Sequence, residues 1–151
     1  MAVKFYSARG EYGEFSNFAR YPVTIDGKVW KTTEHYFQAQ KFAGTKYETE
    51  VRNAKGPGEA AKIGRDKRLP LRKDWESVKD DVMRKAVLNK FMQHERLMDL
   101  LLSTEDQELV EHTENDSYWG DGGNGTGKNK LGKILMETRD VLNRLRGNYG
   151  K

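Results

Sequence analysis

The sequence predicts an α+β chain that is predominantly helical, with its strand confined to a small β-sheet or hairpin. Three observations predict it. Pro22-Val23-Thr24-Ile25 and Lys28-Val29-Trp30 are β-prone runs separated by Asp26-Gly27, the dipeptide of a two-residue type I′ turn. Apolar residues recur at helical spacing from Trp75 to about His94, and again from Leu131 to Leu145. With 151 residues the chain has the length of one ordinary domain, so residues 1–151 read as a single domain able to form its own core.

The elements follow in order. Lys4-Phe5-Tyr6 is a candidate strand, and the Gly-rich Ser7–Gly13 is a loop. In Glu14-Phe15-Ser16-Asn17-Phe18 two rings bracket a hydroxyl and an amide. That pattern reads as a loop pinned to the core by Phe15 and Phe18, or as a substrate loop. The two-residue turn pairs Val23 with Trp30 and sends both to one face. Thr33 can cap a helix that starts at Glu34 and is stopped by Ala43-Gly44-Thr45. Tyr47, Val51 and Ala54 mark a second short helix, and Glu59–Ile63, closed by Gly64, a third. Asp74 is a good N-cap for the longest helix, whose stripe carries Trp75, Val78, Val82 and Ala86. Leu97, Leu100, Leu101 and Leu102 belong to another helix, and Glu108–His112 alternates like a short strand. The last helix has Leu131, Ile134, Leu135, Thr138, Val141, Leu142 and Leu145 on its apolar side.

Composition narrows the chemistry. Without cysteine there is no thiolate nucleophile, and three scattered histidines form no ligand cluster, so neither a metal nor a cofactor is expected. Lys and Arg number 27 against 23 Asp and Glu, a net charge of +4 that suits anionic ligands without requiring them. No apolar run reaches membrane-spanning length, and MAVKFYSARG lacks the apolar stretch of a signal peptide. The expectation is a cytoplasmic protein with no membrane partner.

Two stretches carry chemistry. In TTEHYFQAQKF, helical spacing puts Glu34, Gln38 and Lys41 on one face with Phe37 between them and Tyr36 beside it. An acid among rings suits a ligand pocket, although an acid in a first helical turn also complements the helix dipole. The second stretch, Thr113–Asn129, joins acids, Tyr118 and Trp119 to a glycine loop before the last helix. Gly122 to Lys128 has the GxxxxGK spacing of a nucleotide triphosphatase, but Asn129 stands where a Ser or Thr should hold magnesium, and only one helix remains downstream. What survives is a turn whose backbone N–H groups, with Lys128, could cradle a phosphate. The basic run Arg65-Asp66-Lys67-Arg68 reads either as a solvated connection or as a phosphate contact. A tryptophan at a helix start, such as Trp75, is a core plug more often than a stacking platform.

Read in order, EHYFQAQKF, RKDWESVKDDVMRKA and TENDSYWGDGGNGTGKNKLGKILMETR resemble the NADAR, or YbiA-like, family from about Phe5 to Leu145. The resemblance implies a compact, largely helical α+β domain with no metal requirement. It also implies an N-glycosidase acting on phosphoribosylamino-pyrimidine intermediates of riboflavin biosynthesis. The alternatives are removal of ADP-ribose from modified guanine in DNA and a non-catalytic ADP-ribose or nucleotide-binding module. The expected partner is a small phosphorylated ribosyl metabolite, with ADP-ribosylated DNA as the alternative and the oligomeric state left open. Carried over by motif, the catalytic glutamate falls on Glu34, the tryptophan on Trp75 and the acid on Asp116, with Asp121 its rival. Phe15, Asn17, His35, Gln38, Arg65, Trp119, Asp121, Gly122, Gly123, Lys128 and Asn129 are expected to bind the substrate.

Overall fold

Asp26 and Gly27 both take positive φ, 53° and 79°, as a type I′ turn demands. They join β2 (Val23–Ile25) to β3 (Lys28–Trp30) in an antiparallel pair with Val23 opposite Trp30. Both of those side chains are 1% exposed, so the register is fixed by what it buries. The computed structural model describes residues 2–147, and its contacts divide them into two units: residues 20–90, and the chain before and after that span.

In the unit of residues 20–90, the hairpin leads into α1 (Thr33–Gln40), α2 (Lys46–Arg52), α3 (Pro57–Gly64) and most of α4 (Trp75–Gln93). α1 starts one residue earlier than the sequence suggests: Thr32, not Thr33, is the N-cap, and its hydroxyl accepts the His35 N–H at 3.1 Å. Pro57 occupies the first turn of α3, where its missing N–H costs nothing. α1, α2 and α3 pack on one another. Trp30, Tyr36, Ala39, Phe42, Val51 and Ala60 form the heart of the core. The Trp30 ring meets Tyr36 edge-on at 5.3 Å, and burying such a ring is worth roughly 2–3 kcal/mol. Asp74 does not cap α4 with its side chain. Its carboxylate binds the Arg72 guanidinium at 2.6 and 3.0 Å, while its carbonyl accepts the N–H groups of Ser77 and Val78.

The other unit holds β1 (Ala2–Phe5), a 3₁₀ turn at Gly13–Phe15, the end of α4, α5 (Glu95–Ser103), β4 (Glu108–Glu111) and α6 (Lys130–Leu145). β1 pairs with β4 in parallel, with Val3 opposite Leu109. Leu109 and Val110 are both buried, so β4 lacks the alternation that a half-exposed strand would show. The edge of β4 away from β1 is closed by a side chain. Asn129 accepts the Glu111 N–H at 3.0 Å and donates to the Leu109 carbonyl at 2.9 Å, standing in for a third strand. Asn129 holds a left-handed φ of 51° to do so. Gly132 in α6 follows from the same approach, because a Cβ there would lie 2.1 Å from the Leu109 carbonyl. α6 buries Leu131, Ile134, Leu135, Thr138 and Leu142, whereas Val141 and Leu145 are 40% and 65% exposed, contrary to their place on the apolar stripe. The buried Arg139 ties α6 to the α5–β4 connection by donating to Thr104 Oγ1 and the Gln107 carbonyl. Among the described residues no helix is long and apolar enough to cross a membrane.

Candidate active site

α1 presents the chemistry of the unit of residues 20–90. Glu34 is 7% exposed and Gln38 4%, one helical turn apart, and Gln38 Nε2 donates to Glu34 Oε2 at 2.7 Å. Lys41, a further turn on, donates to the Gly64 carbonyl at 3.1 Å at the end of α3. Its ammonium lies 5.9 Å from the Phe37 ring and 5.8 Å from the Trp75 ring, and these two rings meet edge-on at 5.1 Å. Burial pushes the Lys41 ammonium below its ordinary 10.5, against the Glu34 carboxylate, which favours the charge. Trp75 is brought there by the segment before it, whose Arg72 N–H donates to the Lys41 carbonyl at 2.9 Å. The sequence thus foretells the face of Glu34, Gln38 and Lys41 but leaves Lys41 out of the candidate site. Its signal was the i+7 spacing.

Arg65 is the C-cap of α3, and its charge acts on Lys41, whereas the Arg68 guanidinium folds back on both oxygens of Asp66. That pairing holds the Asp66 carboxyl down at about 2. Trp75 is only 5% exposed, with its ring engaged by Phe37 and Lys41, so it forms a wall instead of an open stacking platform.

His35 is fully buried and has both ring nitrogens occupied. A carbonyl can only accept, so Nε2 carries the proton and donates to Ala54 at 3.0 Å, while Nδ1 accepts from the Thr32 hydroxyl at 2.8 Å. Burial pushes the ring below its ordinary 6.5, with the charges of Lys31 and Arg20 adding to the effect, and so keeps it neutral. The ring, expected to bind substrate, ties α1 to the end of α2. Phe15 is likewise buried. It is 1% exposed among Phe5, Tyr12 and Phe91, whereas Phe18, its supposed companion pin, is 40% exposed. Asn17 is 8% exposed in the same loop.

The Thr113–Asn129 segment is organised by its two aspartates. Asp116 Oδ1 accepts the N–H groups of Tyr118 and Trp119, at 2.9 and 2.8 Å. Asp121 uses both oxygens: Oδ1 accepts the N–H groups of Thr113 and Gly123, and Oδ2 lies 2.8 Å from His112 Nδ1. Burial alone would raise the Asp121 carboxyl, but these hydrogen bonds outweigh it and hold the group below its ordinary 3.8. Most amides of the glycine loop are bonded within the segment. Gly122, Gly127, Lys128 and Asn129 donate their N–H groups to the carbonyls of Asp116, Asp121, Ser117 and Gly120, and Gly123 donates to Asp121. Asn129, expected to bind substrate, is occupied by β4. Of that set Lys128 keeps an exposed side chain, its ammonium 5.2 Å from the Tyr118 ring, which meets Trp119 edge-on at 4.9 Å.

A buried carboxylate held by an amide, beside an ammonium on an aromatic wall, is acid–base and electrostatic equipment of the kind used by enzymes that cleave glycosidic bonds. The NADAR domain model matches residues 4–143, and the chain belongs to the NADAR family. It is 59% identical over 140 residues to N-glycosidase YbiA of Escherichia coli K12, covering 93% of this chain and 88% of that protein. The NMR structure of E. coli YbiA superposes with a TM-score of 0.91 at 55% identity, covering 99% of this chain and 89% of that one. N-glycosidase Npun_R5314 of Nostoc punctiforme is 44% identical, with 96% and 95% coverage. Riboflavin biosynthesis protein VVA0006 of Vibrio vulnificus is 39% identical over 93% of this chain, which spans 38% of that protein.

Proposed function

We propose that this NADAR family member is an N-glycosidase that hydrolyses the C–N bond of phosphoribosylamino-pyrimidine intermediates of riboflavin biosynthesis. The observation that carries this reading is the buried Glu34 carboxylate, fixed by Gln38 beside the Lys41 ammonium. As the C–N bond breaks, its electrons leave with the amine and positive charge develops on the sugar carbon. Glu34 stabilises that charge or takes the proton of the attacking water. The names of the full-length relatives support the reaction, and that of the Vibrio protein supports the substrate class. Within the Thr113–Asn129 segment, Asp121 has both oxygens bonded whereas the Asp116 hydrogen bonds fall on one, so Asp116 is the aspartate of that segment better placed to take a ligand. Trp75 acts through Lys41, which it holds in place.

The test is incubation with the riboflavin intermediates and, separately, with ADP-ribosylated DNA, identifying the released sugar by mass spectrometry. Ribose phosphate released from the intermediate alone is expected. Turnover of the DNA alone overturns the substrate class. Glu34→Gln should lose about 10²–10⁴-fold in kcat, and a folded variant with wild-type turnover refutes the assignment of Glu34.

A further inference from the structure

Gly64 is the last residue of α3, yet it has no left-handed φ to explain a glycine. Its neighbour does explain it. A Cβ at Gly64 would lie 2.0 Å from Gln38 Oε1 and 2.7 Å from Gln38 Cδ, so the amide occupies the space where a side chain would stand. Gln38 Oε1 is buried and receives no hydrogen bond among the described residues, while Nε2 is spent on Glu34. The reverse orientation would set an amide oxygen 2.7 Å from a carboxylate oxygen, two acceptors face to face. The amide therefore serves the carboxylate and leaves its own oxygen against the bare backbone of α3.

We infer that Gln38 is a positioning residue for Glu34, and that residue 64 is glycine so that the Gln38 amide can seat there and aim Nε2 at the carboxylate. The inference rests on the reading of Glu34 as the reacting carboxylate. It separates two roles on one helix face: Glu34 meets the substrate, and Gln38 acts through Glu34. The two nearest obstructions to a Cβ at residue 64 are Oε1 and Cδ of a flexible side chain, which an alanine displaces, while the Gln38 Cβ at 2.9 Å must give by a few tenths of an ångström.

The experiment compares wild type, Glu34→Gln, Gln38→Ala, Gly64→Ala and the double variant Gln38→Ala/Gly64→Ala, using a phosphoribosylamino-pyrimidine as substrate. Gln38→Ala and Gly64→Ala should each lower kcat about tenfold, the scale of one hydrogen bond to a charged group, with KM within about twofold. Each should also move the acid limb of the rate profile to higher pH, because the ionised carboxylate loses a donor. The double variant should lie within about twofold of Gln38→Ala in kcat, since without the amide only the Cβ of residue 38, 2.9 Å from the added Cβ, still meets that space. A Gly64→Ala penalty of the same factor with and without Gln38 overturns the inference. Should Gly64→Ala not fold, a Gln38→Gly/Gly64→Ala variant, which removes the residue-38 Cβ as well, supports the seat if it folds with the melting temperature of Gln38→Gly and overturns it if it does not fold. Full activity in Glu34→Gln defeats the catalytic reading and this inference with it. An inactive Glu34→Gln alongside an additive cycle defeats the inference alone.

Discussion

Replacing His35 by leucine tests the view that this ring is a structural link, and its cost can be worked from the contacts. The Ala54 carbonyl keeps the Lys31 ammonium at 2.8 Å, so it loses one of two donors. The buried Thr32 hydroxyl loses its acceptor, although it still receives the His35 backbone N–H. One lost hydrogen bond and one stranded hydroxyl sum to roughly 2–4 kcal/mol, a large part of the about 5–15 kcal/mol available to a domain. Urea denaturation at pH 7 should show a lower midpoint with an unchanged slope. A second readout concerns protons. The folded ring titrates below its unfolded value of 6.5, so as pH falls through that value the unfolded chain takes up a proton that the folded chain does not. This contribution is at full strength above the unfolded value and is lost on acidification. Wild type should therefore lose stability on acidification below about pH 6.5 that His35→Leu does not lose. A loss below about 1 kcal/mol at pH 7, or the same pH dependence in both proteins, would refute the reasoning.

Other outcomes follow from the same geometry. Lys41→Met, which keeps the chain length but not the charge, should lower kcat/KM about 10–100-fold with little change in melting temperature. Lys41→Arg should shift the alkaline limb of the rate profile upward, because burial depresses the lysine and a guanidinium resists deprotonation. Asn129→Ala should destabilise by roughly 2–4 kcal/mol, since it strips two hydrogen bonds from β4 and strains a left-handed residue. Asn129→Gly should recover about 1 kcal/mol of that by relieving the strain alone, as read by thermal melting.

Local chemistry made much of the chain legible. Asp26-Gly27 specifies a turn in any context, and the turn fixes the pairing of Val23 with Trp30. The spacing of Glu34, Gln38 and Lys41 puts them on one face of any helix, and the structure confirms that face. The same logic could not see partners distant in sequence. The parallel pairing of β1 with β4 joins residues more than a hundred positions apart, and no periodicity encodes it. Val141 and Leu145 lie on an apolar stripe that the fold leaves exposed at that end. The amides of the glycine loop looked free because their acceptors, the carbonyls of Asp116, Ser117 and Gly120, are reached only by a tertiary turn.

By itself, then, the sequence determined what is set by neighbours along the chain: the hairpin, the helices, the acid-bearing face of α1 and, through three long motifs, the family. Tertiary structure decided which groups remain free to act. His35 and Gln38 stand on the same helix with equal polarity in the sequence. One is consumed by the Ala54 carbonyl and the Thr32 hydroxyl, and the other is turned onto Glu34 by the absence of a side chain at Gly64. The physical reason is that a buried polar group must find its partner wherever the packing places one, and that place is not written in the local sequence.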